Sequence, residues 1–360
     1  MMQASLQAQP SPPMAGYIWP KVLRTVFFAM RYMGAVIFVA ALSFAANASS
    51  SVMTLRTPGI SFIERAADGA PVIVDSDGGR YLVRLVDGKI VLQPAKALRQ
   101  DPLPKGALPD AEIATSLSGE RAWLGSPTDR YGHGVLGDAI EAGALIFEQA
   151  DGETQTLTLN DDAVFEDRYP RFVDMDGDGD QEILLVKSYQ NAGGALVLVD
   201  PGALPLSIAA EAPSIGTPNR WLNPAGAGDI DGDGKVEALV VITPHIGGTL
   251  TAYEWQGDKL VVDHMIHGFS NHFIGSRELA LSAVEDLDGD DVAEVIVPDA
   301  SRRAMTIVKF DGVAPKVVAK ISPASRVAHR LVVHDLDGDG RPELTWGSGD
   351  GTLVVWKPGL

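Results

Sequence analysis

The chain has 360 residues, with 47 acidic against 29 basic side chains and a formal net charge of −18. It contains no cysteine, which excludes disulfides, thiolate metal sites and a cysteine nucleophile. The acidic excess argues against nucleic acid as a partner, because binding a polyanion needs clustered Lys and Arg. A hydrophobic share of 46% is too high for a disordered chain, so a large folded region is expected.

Residues 1–48 have the layout of an export signal. They contain no acidic residue, and an apolar run at 33–45 follows a basic segment and ends at the small residues 46–48. The run is shorter than the roughly 20 residues that span a bilayer. We therefore expect residues 1–48 to be a cleaved signal peptide and the mature chain to be periplasmic or secreted, without stable membrane insertion. An uncleaved N-terminal anchor is the alternative.

Four short acidic segments align without gaps and mark an internal repeat. Each has Asp at positions 1, 3 and 5, Gly at position 4 and Glu at position 9, and their first residues lie 55, 57 and 49 residues apart. We call them loops 1 to 4 (residues 174–182, 229–237, 286–294 and 335–343). An aliphatic or β-branched run follows every loop, so each loop should join two strands.

The similarity extends beyond the loops. A small or polar turn and a further strand follow each loop, and in most repeats a fourth strand comes next. Four short strands in about 50 residues are typical of a propeller blade. Two weaker units, at 70–93 and 130–147, precede the four clear repeats in 165–360. The sequence therefore predicts an all-β fold, a single β-propeller domain over residues 49–360 with six four-stranded blades, seven being the alternative.

The acidic loops predict calcium sites. Carboxylates at positions 1, 3 and 5 repel one another unless a cation lies among them, and flexible oxygen-only loops suit Ca²⁺ better than Mg²⁺. The backbone carbonyl at position 7 and Glu at position 9 would complete the ligand shell. Position 6 is Gly except in loop 3, where Asp291 tolerates the left-handed backbone better than most residues do. For about four Ca²⁺ ions, the predicted ligands are Asp174, Asp176, Asp178, Asp180, Glu182, Asp229, Asp231, Asp233, Lys235, Glu237, Asp286, Asp288, Asp290, Val292, Glu294, Asp335, Asp337, Asp339, Arg341 and Glu343.

Neither an EF-hand nor a metal-free acidic turn accounts for the loops as well. An EF-hand needs a Glu at position 12 and flanking helices, whereas the closing acid here is at position 9 between strands. Acidic surface turns without a metal would account for one such loop better than for four in register.

The loops and the strand order resemble the FG-GAP/VCBS repeats, the integrin-α-like β-propellers with a calcium loop between the first two strands of a blade. The resemblance covers 165–360 well and 55–165 weakly, without an intact Phe-Gly and Gly-Ala-Pro signature. It implies a mainly structural calcium and specifies no ligand.

The sequence shows no catalytic arrangement of a known kind, such as Gly-x-Ser-x-Gly, a phosphate-binding Gly-Lys-Ser/Thr loop or His-Glu-x-x-His. His264 and His267 would point to opposite faces of a strand. Basic and aromatic residues recur in the segments that lead into first strands (130–133, 168–171, 219–223, 270–273 and 329–330). These segments predict either a ligand face, with Arg220, Trp221 and His272 as its test residues, or hydrogen-bonded contacts between neighbouring blades.

Together these features predict an exported, monomeric, calcium-binding propeller that acts as a protein- or glycan-binding scaffold, and they leave open whether it is also an enzyme. An extracytoplasmic propeller enzyme, a lyase or hydrolase acting on polysaccharide, is the alternative. An adhesive surface protein is a third possibility.

Overall fold

Residues 50–57, 59–98, 102–310, 314–322 and 325–359 are described in the computed structural model of the protein. The signal predicted for residues 1–48 lies outside these residues. All secondary-structure elements of the described residues are β-strands. This confirms the prediction of an all-β fold built from four-stranded sheets. None of the described residues belongs to a helix that is long and apolar enough to cross a membrane.

The strands are short and follow one another closely along the chain. The first nine are β1 (Ser51–Arg56), β2 (Ile60–Arg65), β3 (Pro71–Asp75), β4 (Arg80–Val86), β5 (Lys89–Pro94), β6 (Ala114–Thr115), β7 (Arg121–Thr128), β8 (Glu141–Glu148) and β9 (Thr154–Thr158). The next nine are β10 (Ala163–Phe165), β11 (Arg171–Val173), β12 (Glu182–Tyr189), β13 (Gly193–Val199), β14 (Ile208–Glu211), β15 (Leu222–Gly228), β16 (Glu237–Ile242), β17 (Thr249–Gln256) and β18 (Lys259–His267). The last are β19 (Ala283–Glu285), β20 (Glu294–Pro298), β21 (Met305–Phe310), β22 (Pro315–Ile321), β23 (Val327–His334), β24 (Glu343–Ser348) and β25 (Thr352–Lys357).

Strand pairing groups these strands into six units. Strands β2–β5, strands β19–β22, and strands β23–β25 with β1 form three separate four-stranded sheets. The other strands form one hydrogen-bonded network. Two of its links consist of a single residue pair each, Phe165 with Ala142 and Glu211 with Lys259. These junctions divide the network into β6–β9, β10–β14 and β15–β18. In the unit β10–β14, both β10 and β11 pair with the same strand, β12, so that four strand positions result.

Strand β1 completes the last unit although it comes first in the chain. It pairs antiparallel with β25, from Ser51 opposite Lys357 to Arg56 opposite Thr352. Its side chains Met53 and Leu55 pack against the apolar cluster that contains β25 residues. The N-terminal strand therefore holds the two ends of the fold in one sheet, a closure that the repeat pattern did not indicate.

The units follow one another around a common channel. Each of five apolar clusters consists mainly of residues from two consecutive units, and one of these clusters combines the last unit with the first. The first strands β2, β6, β11, β15, β19 and β23 and the segments before them line two neighbouring cavities of about 890 and 570 Å³. The arrangement is propeller-like, because apolar clusters of the described residues join consecutive sheets at five of the six junctions and the first strands line the channel.

The two weaker repeats do not align with the acidic loops. The turn containing Asp75 and Asp77 joins β3 to β4, and residues 129–140 join β7 to β8. Both connect the second and third strands of a unit, whereas loops 1 to 4 connect the first and second. The Asp75 carboxylate accepts the backbone N–H groups of Asp77 and Gly79 at 2.9 and 2.7 Å. An aspartate that caps a hairpin turn makes the same kind of backbone hydrogen bonds as the first aspartate of an acidic loop. The sequence pattern alone therefore assigned the Asp75 turn to the wrong place in its unit.

Candidate functional site

The four acidic loops share one backbone frame. In each loop the Asp at position 1 accepts the N–H groups of positions 4 and 6; Asp174, for example, accepts those of Gly177 and Gly179 at 2.7 and 3.1 Å. Positions 4 and 6 have a left-handed backbone, with φ of 75° at Gly177 and 96° at Gly179. Asp291 takes the same conformation in loop 3, with φ of 67°, as its place in the repeat predicts.

The glutamate at position 9 connects each loop to its sheet by a hydrogen bond. The carboxylates of Glu182, Glu237, Glu294 and Glu343 are at most 4% exposed. Each accepts the backbone N–H of position 2 in its own loop, at 2.7–3.2 Å. The position-2 residues Met175, Ile230, Leu287 and Leu336 are also buried. Sequence reasoning overlooked position 2, although an apolar residue between two aspartates in all four loops was a usable signal.

The position-2 side chains lie at the junctions between units. Met175 belongs to the cluster that joins β10–β14 to β15–β18, and Ile230 to the cluster that joins β15–β18 to β19–β22. Leu287 and Leu336 occupy the next two junctions, the last of which is with the first unit. Backbone bonds add to two junctions: the Asp229 carbonyl accepts the Ala293 N–H at 2.8 Å, and the Leu336 carbonyl accepts the Leu85 N–H at 3.2 Å. The acidic loops therefore connect neighbouring sheets.

Carboxylate oxygens gather in every loop within 4.8 Å of one another. The gathered sets are Asp174, Asp176 and Glu182; Asp229, Asp231 and Glu237; Asp286, Asp288 and Asp290; and Asp335, Asp337 and Asp339. These sets could hold metal ions. The other predicted ligands lie outside them, and the position-7 residues Asp180, Lys235, Val292 and Arg341 donate their backbone N–H to the Asp at position 5.

The electrostatics of loops 1 and 2 suit a bound cation. Burial, with repulsion from Asp176 and Asp200, raises the pKa of Glu182 to about 7. Burial, with repulsion from Asp231, Asp233 and Asp263, likewise raises the pKa of Glu237 to about 7. A divalent cation among these oxygens would relieve the repulsion and return the glutamates to their charged form.

Loop 2 has two further candidate ligands on strand β18. His264 Nε2 lies 3.3 Å from Asp231 Oδ2 and 3.2 Å from Asp263 Oδ2, and the three residues form a candidate metal group. His267 Nδ1 instead lies 2.8 Å from Thr249 Oγ1. The two histidines therefore do not share a site, in agreement with the opposite faces expected of them.

At Trp221 and His272, the segments predicted to form either a ligand face or contacts between blades form contacts between units. Trp221 is 2% exposed and donates its indole N–H to the Glu166 carbonyl at 2.9 Å. His272 is fully buried, 2.8 Å from His245, and burial lowers the pKa of His245 to about 4 and that of His272 to about 3. The prediction that Trp221 and His272 face a ligand is wrong, because these rings fill the space between sheets; of the three test residues, only Arg220 is exposed.

A second polar cluster is buried beneath the segment 130–133. His133 Nδ1 lies 2.6 Å from Glu166 Oε1, and Ser188 donates its hydroxyl to Glu166 Oε2 at 2.5 Å. Burial and the charge of Glu166 raise the pKa of the nearby Glu141 to about 10, so that this carboxyl is neutral near pH 7. The segment thus contributes to packing between β7–β8 and β10–β12.

A concavity of about 890 Å³, which we call the channel mouth, has a lining that includes Phe62, Phe273, four arginines and four acids (Arg121, Arg168, Arg277, Arg330, Glu64, Asp110, Glu112 and Glu278). It lies where first strands begin, whereas the acidic loops follow the ends of such strands. The side chain of Arg277 is 53% exposed there and pairs with Asp110 at 3.0 Å and Asp138 at 2.8 Å. The channel mouth and the acidic loops therefore occupy opposite ends of the strands.

Comparison with known proteins yields likenesses of structure. No protein-family model matches the chain, and no curated protein matches it. The chain is similar to BBS1N in a complex with ARL6DN soaked with mercury, with 11% identity, a TM-score of 0.46, and coverage of 84% of this chain and 92% of that one. It is similar to the lead-soaked complex with 13% identity, a TM-score of 0.44 and the same coverage.

Proposed function

We propose that the protein is an exported six-bladed β-propeller of the integrin-α-like FG-GAP/VCBS type, in which calcium bound by the acidic loops stabilises the ring of blades. One observation carries the calcium proposal: in all four loops the residue between the first two aspartates is buried at a junction between units. An ion that fixes the loop would thereby fix the neighbouring blade. Export fits this design, because β1 begins at Ser51 and cleavage after Ala48 would leave the ring intact.

Removing calcium should lower the melting temperature. One site at 100 times its Kd contributes about 2.7 kcal/mol, and an unfolding entropy of about 2.1 cal/mol/K per residue makes 1 kcal/mol correspond to roughly 1.5 °C in a domain of about 300 residues. We therefore expect a fall of about 4 °C per occupied site when a chelator is added to the purified protein. Calorimetry with calcium, with chelator and with magnesium added back measures this, magnesium being the control. Equal melting temperatures in all three conditions would show that calcium does not stabilise the fold.

The channel mouth is the proposed binding site of this scaffold. Four arginines line it together with the acids Glu64, Asp110, Glu112 and Glu278. The Arg277 side chain is 53% exposed, and Phe62, 41% exposed, lies in the same lining. Guanidinium groups pair with carboxylates, and an exposed aromatic ring packs against the face of a sugar. Of the two ligand classes expected from the sequence, this chemistry favours a glycan that carries carboxylates.

Binding of uronic-acid oligosaccharides tests this assignment. Arg277→Ala should weaken binding about tenfold or more, because a charged hydrogen bond contributes about 1.5–3 kcal/mol. Arg56→Ala is the matched control, since Arg56 is a surface arginine on β1 whose side chain is 74% exposed. Calorimetric titration measures both variants. Equal affinities for the two would refute the site, and shortening of the oligosaccharide during the titration would favour the lyase or hydrolase alternative.

A further inference from the structure

The four acidic loops differ in the residue that lies opposite their closing glutamate on the neighbouring strand. Glu237 pairs with Glu254, and Ile183 pairs with Val199, which places Glu182 opposite Asp200. In the other two units the same ladder position holds a lysine. Val295 pairs with Val308 and Leu344 with Trp356, so that Glu294 is opposite Lys309 and Glu343 opposite Lys357.

In loop 3 the lysine ammonium lies among the carboxylates. Lys309 Nζ is 2.6 Å from Asp288 Oδ2 and 3.3 Å from Asp290 Oδ2. It is also 2.7 Å from Glu294 Oε1, an oxygen of a side chain that is 1% exposed. The ammonium thus contacts the acids at positions 3, 5 and 9, three of the predicted calcium ligands.

Loop 4 repeats this arrangement with a different strand. Lys357 Nζ lies 2.6 Å from Asp337 Oδ2 and 2.6 Å from Asp339 Oδ2. It lies 3.3 Å from Glu343 Oε1, and Glu343 is fully buried. The same three positions are contacted in both loops, so the lysine occupies an equivalent place in these two repeats.

Within the described residues, loops 1 and 2 have no lysine among their gathered oxygens, although His264 Nε2 lies 3.3 Å from Asp231 Oδ2 in loop 2. Among the described ion pairs, none involves the loop 1 carboxylates, and Asp200 adds a further negative charge opposite Glu182. In loop 2, Lys235 contacts Asp233 and Glu254 at the outer rim, where its side chain is 55% exposed. Its described ion pairs do not include Asp229, Asp231 or Glu237, the three residues whose oxygens gather in that loop.

An ammonium group is a compact cation, so it offsets the charge of carboxylates that a metal would otherwise bind. Its hydrogen bonds go to the acids at positions 3 and 5, whereas Glu294 Oε1 and Glu343 Oε1 lie within ion-pair distance only. Calcium entering loop 3 or loop 4 has to displace a lysine that is already hydrogen-bonded to acids of the loop, whereas in loops 1 and 2 it relieves unbalanced repulsion. We propose that calcium occupies loops 1 and 2, and that Lys309 and Lys357 replace it in loops 3 and 4. This inference rests on the calcium-binding function proposed above and changes the expected number of ions from four to two.

Calcium titration calorimetry, with metal analysis of the dialysed protein, tests the number of ions. The wild-type protein should bind two ions, the double variant Lys309→Met/Lys357→Met four, and the matched control Lys235→Met two. In the wild-type background, Asp174→Asn should reduce the number to one and Asp286→Asn should leave it at two. If the double variant folds only when calcium is present, that dependence itself reports the gained sites.

The outcomes separate the two proposals. No bound calcium in the wild-type protein would overturn the proposed function. Four ions of similar affinity in the wild type would overturn the lysine replacement while leaving calcium binding intact. Two ions in both the wild type and the folded double variant would show that Lys309 and Lys357 do not take the place of a metal.

Discussion

Trp221→Ala is expected to destabilise the protein by about 3–5 kcal/mol, the range for removing a buried large aromatic side chain from a core. Trp221 packs in the cluster between the units β10–β14 and β15–β18 and is 2% exposed. Its indole N–H also satisfies the Glu166 carbonyl at 2.9 Å, so the truncation leaves a buried acceptor without this partner. Urea unfolding followed by fluorescence or circular dichroism measures the change.

The neighbouring residue supplies the control for this change. Arg220 is exposed, and Arg220→Ala should alter the free energy of unfolding by no more than about 0.5 kcal/mol. If Trp221→Ala were as stable as Arg220→Ala and lost only ligand binding, the ring would belong to a ligand face after all. The comparison therefore distinguishes a contact between blades from a binding surface.

Removing β1 is expected to be comparably damaging. Deleting residues up to Arg56 exposes the edge of β25 along six paired positions and removes Met53 and Leu55 from an apolar cluster. The lost hydrogen bonds contribute about 0.5–1.5 kcal/mol each, and with the lost burial we expect a cost of about 5 kcal/mol or more. This is a large share of the roughly 5–15 kcal/mol that stabilises a typical domain.

The deletion is best compared with a shorter one. A chain beginning at Ser50 retains every residue of β1 and should unfold at the same urea concentration as the mature protein. The chain without β1 should unfold at a lower concentration and tend to self-associate, because an unpaired β25 edge is a template for another strand. Equal unfolding midpoints for the two deletions would show that β1 does not close the ring.

The acidity that first excluded nucleic acid partners has a local origin. Sixteen of the 47 acidic residues are the Asp and Glu at positions 1, 3, 5 and 9 of the acidic loops. In loops 3 and 4 a lysine contacts these carboxylates. In loops 1 and 2, no described ion pair joins a lysine to the gathered carboxylates. Net charge therefore says little about the ligand, whose proposed site is a cavity lined by both arginines and acids at the opposite end of the strands.

The sequence by itself determined the features that depend on neighbouring residues. The nine-residue acidic loops, the left-handed Gly179 and Asp291 at their position 6 and the strands on either side follow from local spacing and turn chemistry. Their recurrence was enough to predict an all-β fold of four-stranded units. Local chemistry also misled, since the Asp75 turn resembles half a loop.

Only the tertiary structure decided the features that depend on residues far apart in the chain. Thr57 donates a hydrogen bond to the carbonyl of Gly351, 294 residues away in the chain, beside the β1–β25 pairing. Trp221 donates a hydrogen bond to the carbonyl of Glu166, which is 55 residues away. Lys309 reaches loop 3 because strand register places it opposite Glu294. Register and burial arise from packing of the whole ring, so no local pattern could show which acids face a lysine or which aromatic residues are core.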